Sequence, residues 1–293
     1  MLRSIKTFQS TNQINEISNY FKMEKKPFIV KNIIDSNIDL NFLKKKYEHE
    51  EVLTLNPRSD KEELKVSKLI QKVLSGEKYR LRANTKLGNK VKNHIDTTFI
   101  KKIKNNQKNF FDYFLSFGKT SRQNTLFLST KNCTFSKHAH IISGFIIHLN
   151  GNKTWYISKS RDKFLSIKYK NLLHPNPLYV TEKEIDNEIA FTLEPGDLLY
   201  MPAYWFHYTI SHNTNISYSH FFTETMWYYL TKCFLMFIYQ VISNPFHAII
   251  KAIRKEPEEH IYDREAIIKR CKKIGNIRKR SEALKFFHSN DYS

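Results

Sequence analysis

From Thr125 onward the chain is written in short runs rich in β-branched and aromatic residues: "TLFLST", "SGFIIHLNG", "KTWYISKS", "IAFTLEPGDLLYMP", "HYTIS" and "ISYSHFFT". Turn residues bound each run, and none has the length of a core helix, so the pattern is that of strands. This texture confines about a hundred residues to an all-β core, because a chain of short strands buries its apolar faces by stacking or closing sheets.

The flanks differ. Residues 1–120 are mixed α and β: "QINEISNYF", "LNFLKKKY", "VSKLIQKVLSG" and "NQKNFFDYFLSF" have helical apolar spacing, the third stopped at Gly76, and "KPFIVKNII" has the content of a strand. After Thr225 helical texture returns in "WYYLTKCFLMFIYQVIS" and "NPFHAIIKAIRK", with a charged tail from Lys255. The expected organisation is an N-terminal mixed part over residues 1–120 packed on a β-barrel core over 121–225, and a helical C-terminal extension over 226–293. The apolar run "CFLMFIYQVI" falls short of the ~20 residues a bilayer span requires. It predicts a buried or dimer-forming helix, hence a homodimer through the C-terminal helices.

Composition excludes a disordered chain, since 41% of the residues are hydrophobic and 14% aromatic. The formal net charge of +20 admits an acidic partner, whether RNA, DNA, anionic lipid or an acidic protein. Lysine and arginine are spread along the chain, however, without the clustered footprint of a nucleic-acid module. Cys133, Cys233 and Cys271 are odd in number and far apart, which argues against a disulfide framework or a cysteine zinc site. With no signal-type apolar stretch at the amino terminus, the expected setting is intracellular and cytoplasmic.

The chemistry centres on "FSKHAHIISGFIIHLNGNK". His138 and His140 are separated by one residue, and on a strand that spacing turns both rings to one face, where they can grip one ion or simply decorate a surface. Downstream, "LEPGDLLYMPAYWFHYTISH" makes a tight turn at Pro195-Gly196-Asp197, a buried strand, and then delivers His207. A close pair plus a distant third histidine can form a three-ligand site with open coordination positions.

In these residues the sequence resembles the JmjC-type, cupin-like family of 2-oxoglutarate- and Fe(II)-dependent oxygenases. The family order of H-x-D, Gly, Lys, P-G-D, a Pro-ended step and W-x-H appears here as His138-Ala139-His140, Gly151, Lys153, "EPGDLLYMP" and Trp205-Phe206-His207, over roughly residues 125–224. The resemblance implies a double-stranded β-helix (cupin or jelly-roll) core with flanking helices. It implies metal ligation by His138 and His207, with His140 in the position of the family's carboxylate ligand. It makes Lys153 the anchor for the far carboxylate of 2-oxoglutarate. The family's helper hydroxyl falls at Phe135, leaving its neighbours Thr134 and Ser136 as candidates to bind the cosubstrate. His148 and His220 are candidates to stand behind the ligands, though His148 reads first as a core or hydrogen-bonded histidine and His220 reads equally as packing. A true H-x-D, His94-Ile95-Asp96, lacks the glycine and the following apolar strand, and is read as a decoy.

Three functions stay open. The first is a 2-oxoglutarate-dependent hydroxylase of a protein, RNA or small molecule, using Fe(II) or another divalent metal. The second is a three-histidine cupin oxygenase without 2-oxoglutarate. The third is a catalytically degenerate binding protein.

Overall fold

The described chain is built on two facing sheets. The computed structural model describes residues 4–35, 37–55, 61–104, 123–134, 137–159, 178–179, 188–224 and 226–238. Ahead of the core come β1 (Lys6–Phe8), α1 (Ile14–Met23), β2 (Phe28–Val30), α2 (Leu40–Tyr47), β3 (Glu51–Leu55), β4 (Lys61–Lys65), α3 (Val66–Leu74), β5 (Arg80–Asn84), α4 (Thr85–Val91) and α5 (Thr98–Lys104). The core strands are β6 (Gln123–Ser129), β7 (His138–Ala139), β8 (Ser143–Asn150), β9 (Lys153–Lys159), β10 (Leu178–Tyr179), β11 (Ile189–Leu193), β12 (Leu198–Met201), β13 (Trp205–Ser211) and β14 (Asn215–Phe222). A helix, α6 (Met226–Lys232), follows. The expected helix "NQKNFFDYFLSF", the segment "NPFHAIIKAIRK" and Cys271 lie outside the described residues.

Nine strands form the larger sheet in the order β1-β2-β12-β8-β14-β6-β5-β3-β4, and five form the smaller in the order β10-β7-β13-β9-β11. This is the two-sheet core of a JmjC or cupin fold with flanking helices. The expected closed barrel is corrected: among the described strands the sheets remain separate. The N-terminal strands lengthen the larger sheet at both edges, β1 and β2 beyond β12 and β3 to β5 beyond β6, so it runs on past the width a barrel would need.

Alternation along the strands sorts the core into layers. On β8 and β14, Phe145, Ile147, Leu149, Ile216 and Tyr218 face outward into a core shared with Ile17 and Phe21 of α1 and Leu69 and Ile70 of α3. The opposite face meets the smaller sheet, where Ile146 and Leu199 pack with Trp155, Ile157 and Leu193. The helices start where the sequence can cap them. The Asp39 carboxylate accepts from the Phe42 amide at 2.7 Å ahead of α2, and Asn84 accepts from the Leu87 amide at 2.7 Å ahead of α4.

Two turns at one end of the sandwich depend on glycine. Gly151, at φ +73°, carries the chain from β8 to β9, and a Cβ there would lie 2.2 Å from the Thr214 carbonyl. Gly196, at φ +92°, turns the P-G-D segment. Asp197 then locks that turn, its Oδ2 accepting from the Glu194 amide at 2.9 Å and from Lys31 Nζ at 2.6 Å. The turn is tied to β8 through paired backbone bonds between Gly196, Asp197 and His148, each 2.8 Å.

At the other end α6 docks through its tyrosines. Tyr228 donates to the Ala203 carbonyl and Tyr229 to the Ile141 carbonyl, both at 2.9 Å. Its other side leaves Trp227 74% exposed, with Leu230 and the following Phe234 and Leu235 also exposed. This is the apolar surface on which the homodimer expectation rests. Among the described residues no helix is long and apolar enough to cross a membrane.

A buried ion pair fastens α1 to the end of the core. Lys25 Nζ lies 2.9 Å from Glu224 Oε2, and the Tyr200 hydroxyl donates to Glu224 Oε1 at 2.7 Å. Glu224 is fully enclosed, so removing its carboxylate strands an ammonium and a phenol in the interior. Glu224→Ala is expected to lower unfolding free energy by about 3 kcal/mol in urea titration. A loss below about 1 kcal/mol, the range of a surface pair, would mean the pair is solvated.

Candidate metal centre

His138 and His207 face each other across paired strands. Residue 207 on β13 is in register with residue 138 on β7. His140, just past the end of β7, turns to the same side as His138, as the period of two requires. The ring centroids lie 4.7 Å (His138 to His140), 4.4 Å (His138 to His207) and 5.5 Å (His140 to His207) apart. One ligand nitrogen from each ring falls within 4.8 Å of the other two, which is an arrangement able to hold a metal ion.

The donor set fits a divalent transition metal. Nε2 of His138 and Nε2 of His140 are 3.1 Å apart. Two nitrogens bound at about 2.1 Å to one ion and at right angles to each other would be about 3 Å apart. His207 Nδ1 lies 3.0 Å from the Trp205 carbonyl, so it carries the proton and leaves Nε2 as the ligand atom. Imidazole suits iron, zinc, copper and nickel alike. Trp155, 5.6 Å from the His207 ring, and Phe221, 6.0 Å from the His140 ring, wall the cluster with aromatic surface.

Burial keeps the His140 and His207 rings neutral. It holds His140 down at about 3, with the nearby His207 lowering it further, and His207 down at about 4 against the pull of the Trp205 carbonyl. The folded values lie below the ordinary 6.5. An unfolded chain therefore takes up protons as pH falls through about 6.5 while the folded one does not. The stability that neutral burial contributes is present above that pH and is lost as pH falls toward 3 to 4. The backbone around the ligands is pinned as well. The His140 carbonyl accepts from the Tyr204 amide at 2.7 Å, and Tyr204 itself sits at φ +63° in the turn leading to β13.

Lys153 is 3% exposed, not a solvated turn residue. Burial lowers its ammonium to about 8, with the Cys133 thiol opposing and Arg80 adding to the shift. On β13, His207 pairs with Ile157, Thr209 with Trp155 and Ser211 with Lys153. The lysine therefore stands four residues along the strand from the histidines, on the same face. Thr209 Oγ1, Ser211 Oγ and Trp155 Nε1 on this sheet, and Ser129 Oγ and Asn215 Oδ1 on the larger one, are buried without a hydrogen-bond partner among the described residues. Native interiors leave few such atoms unsatisfied, and several converging between two sheets are what a polar ligand would satisfy.

The remaining sequence candidates divide. Thr134 bridges to Ile210 at the edge of the smaller sheet, and its carbonyl accepts from Arg80 Nη1 at 2.8 Å. Ser136 lies outside the described residues. His148 is buried, with Nε2 2.7 Å from the Gly151 carbonyl and Nδ1 3.1 Å from Ser217 Oγ. It braces the turn that launches Lys153 and stands beside the lysine end, not behind the metal ligands. Burial, with Lys153 adding and the Gly151 carbonyl opposing, holds it at about 3.

His220 is a correction. It bonds Asn124 Oδ1 at 2.9 Å on the face of β14 opposite Phe221, because neighbouring residues of a strand point to opposite sides. His94 packs its ring 5.2 Å from Phe42, and Asp96 accepts from the Thr98 amide at 2.8 Å. The pair thus serves local packing and a helix start. Arg80 and the polar face of β13 were missed from sequence. Thr209 and Ser211, following His207 at every second position of an otherwise apolar strand, were the available signal.

Residues 98–230 match the family model of the JmjC domain. That domain is typical of Fe(II)- and 2-oxoglutarate-dependent oxygenases. No curated protein matches the chain.

His207→Ala should strip the metal, since two remaining histidines give too few donors for a tight site. Elemental analysis of iron-reconstituted protein should give about one metal per chain in the wild type and little in the variant. Equal content in both would remove His207 from the ligand set.

Proposed function

We propose that the protein is a metal-dependent oxygenase of the 2-oxoglutarate-using kind, with His138, His140 and His207 as the metal ligands. The observation that carries this reading is the placement, on one face of the smaller sheet, of the three-histidine cluster and a buried lysine beside buried polar atoms without partners. Four residues of strand separate the His207 and Ser211 levels by about 14 Å, a span that a five-carbon diacid and the stem of Lys153 can bridge together.

Bound there, Fe(II) and 2-oxoglutarate would supply activation of dioxygen, with oxidative decarboxylation of the cosubstrate to succinate and carbon dioxide coupled to hydroxylation of a C–H bond. The chain contributes position and electrostatics. His207 presents Nε2 because Trp205 holds its other nitrogen. Lys153 supplies a charged donor for the far carboxylate, and the hydroxyls of Thr209 and Ser211 offer further donors beside it. Trp155 and Phe221 place aromatic surface beside the His207 and His140 rings. The hydroxylated substrate is a protein, an RNA or a small molecule.

Succinate formation from 2-oxoglutarate by iron-loaded protein tests the reading, with Lys153→Ala as the control. Turnover in the wild type, with 2-oxoglutarate affinity in the variant weaker by about tenfold or more and metal content unchanged, is the expected result. Bound metal without succinate would favour a three-histidine oxygenase that does not use 2-oxoglutarate.

His140→Asp restores the H-x-D of the wider family, yet it should lower succinate formation. The His140 carbonyl is fixed by Tyr204, and the next carbonyl by Tyr229, at a backbone position suited to the reach of an imidazole. Surroundings that orient an imidazole would not suit a shorter carboxylate on that backbone. Rates compared at matched iron occupancy decide it, and a clear gain would mean the protein is a dormant relative of carboxylate-ligated enzymes.

A further inference from the structure

The inner space between the sheets receives a second cation from outside the core strands. Arg80 opens β5 and is in register with Ser129 of β6. Leu126 and Leu128 of β6 face the outer core, so Ser129, and Arg80 beside it, face the smaller sheet. The guanidinium crosses the gap: its Nη1 donates to the carbonyl of Thr134, which is bridged to Ile210 of β13. Ile210 adjoins Ser211, the residue paired with Lys153. Half-buried Arg80 and buried Lys153 therefore approach the same end of the inner space from opposite sheets, with Ser129 and Asn215 on one side and Thr209 and Ser211 on the other, these four with unsatisfied polar atoms.

We propose that Arg80 is a specificity-determining residue of this pocket: together with Lys153 it takes the far carboxylate of a 2-oxo diacid and disfavours 2-oxo acids that lack one. The proposal rests on the 2-oxoglutarate reading and deepens it. A guanidinium has five N–H donors in a rigid fork, enough to serve the Thr134 carbonyl and one carboxylate at once. Two cations approaching one another repel, and Arg80 adds to the lowering of the Lys153 pKa that burial mainly causes. An anion between them relieves that repulsion. A 2-oxo acid ending in a methyl group gains nothing from either cation and leaves both without a counter-charge from the ligand.

Titration calorimetry of anaerobic, metal-loaded protein tests this with two probes, 2-oxoglutarate and 2-oxobutyrate, which share the 2-oxo acid end and differ in the second carboxylate. Arg80→Gln should weaken 2-oxoglutarate by about tenfold or more while leaving 2-oxobutyrate within about twofold. Arg80→Lys, which keeps the charge and loses the fork, should shift the diacid-to-monoacid ratio in the same direction by about threefold. The Lys variant decides the matter if the Gln variant fails to hold metal. Equal weakening of both probes would make Arg80 a brace between the sheets and overturn the proposal, as would unchanged affinity for both. Wild-type protein that binds 2-oxobutyrate and 2-oxoglutarate equally well, or neither of them, would instead overturn the 2-oxoglutarate reading and this proposal with it.

Discussion

The site depends on strand register. His207 reaches His138 only because β13 pairs with β7 and β9 in the one alignment that sets it opposite residue 138 and residue 157. A slip of one residue would turn His207, Thr209 and Ser211 to the outer face of the smaller sheet and bring Tyr208 and Ile210 inward. Several features fix that alignment. On the outer face Tyr156 and Tyr208 stack with centroids 4.5 Å apart, and at the ends of the strands Gly151 and the Tyr204 turn set the lengths of the connections. The histidine cluster, the buried lysine on the same face and the aromatic wall are thus consequences of one ladder of backbone hydrogen bonds.

That ladder buys a polar interior at a cost to stability. A buried hydroxyl or amide with no partner costs on the order of 1–3 kcal/mol, and several meet around Lys153. The apolar core on the other face of the larger sheet, where Phe21, Phe145, Tyr200 and Phe222 interlock, offsets this. Fully burying one such ring contributes roughly 1.5–3 kcal/mol. The division of labour is physical: one face of β8 and β14 stabilises, and the other is free to be chemically costly. A ligand that satisfies the pocket returns part of the cost, so its binding and the stability of the fold are linked.

How much of this was legible follows from which interactions are local. The strands of the core, the helices α1 to α3 and the stop at Gly76 are written in period and turn chemistry, which short windows carry. The three histidines were legible because a one-residue gap and a P-G-D turn before a W-x-H constrain their geometry. The barrel expectation failed because strand pairing at sheet edges is not a local property: nothing in "KEELK" or "RLRAN" says that these segments join the edge of the larger sheet. His220 was misread for a related reason. Its side of β14 is set by pairing with β6 and β8, and Phe221, one residue on, is the neighbour that meets His140. Arg80 was invisible because it lies 73 residues ahead of Lys153, and only the β5–β6 pairing brings the two together.

His140 and Arg80 act in one direction. A histidine in place of the carboxylate ligand removes a negative charge from the metal end, and Arg80 adds a positive charge at the lysine end. The space between the sheets is therefore more cationic than a carboxylate-ligated site with a lone lysine. A dianion entering such a space is attracted at both ends, its 2-oxo acid end by the less compensated metal and its far carboxylate by two cations. On the 2-oxoglutarate reading, what the ligand set loses in anionic donation is met by the charge of the cosubstrate itself. The histidine and the arginine are then parts of a single electrostatic arrangement, in which the chain leaves to its ligand the negative charge that a carboxylate side chain would otherwise provide.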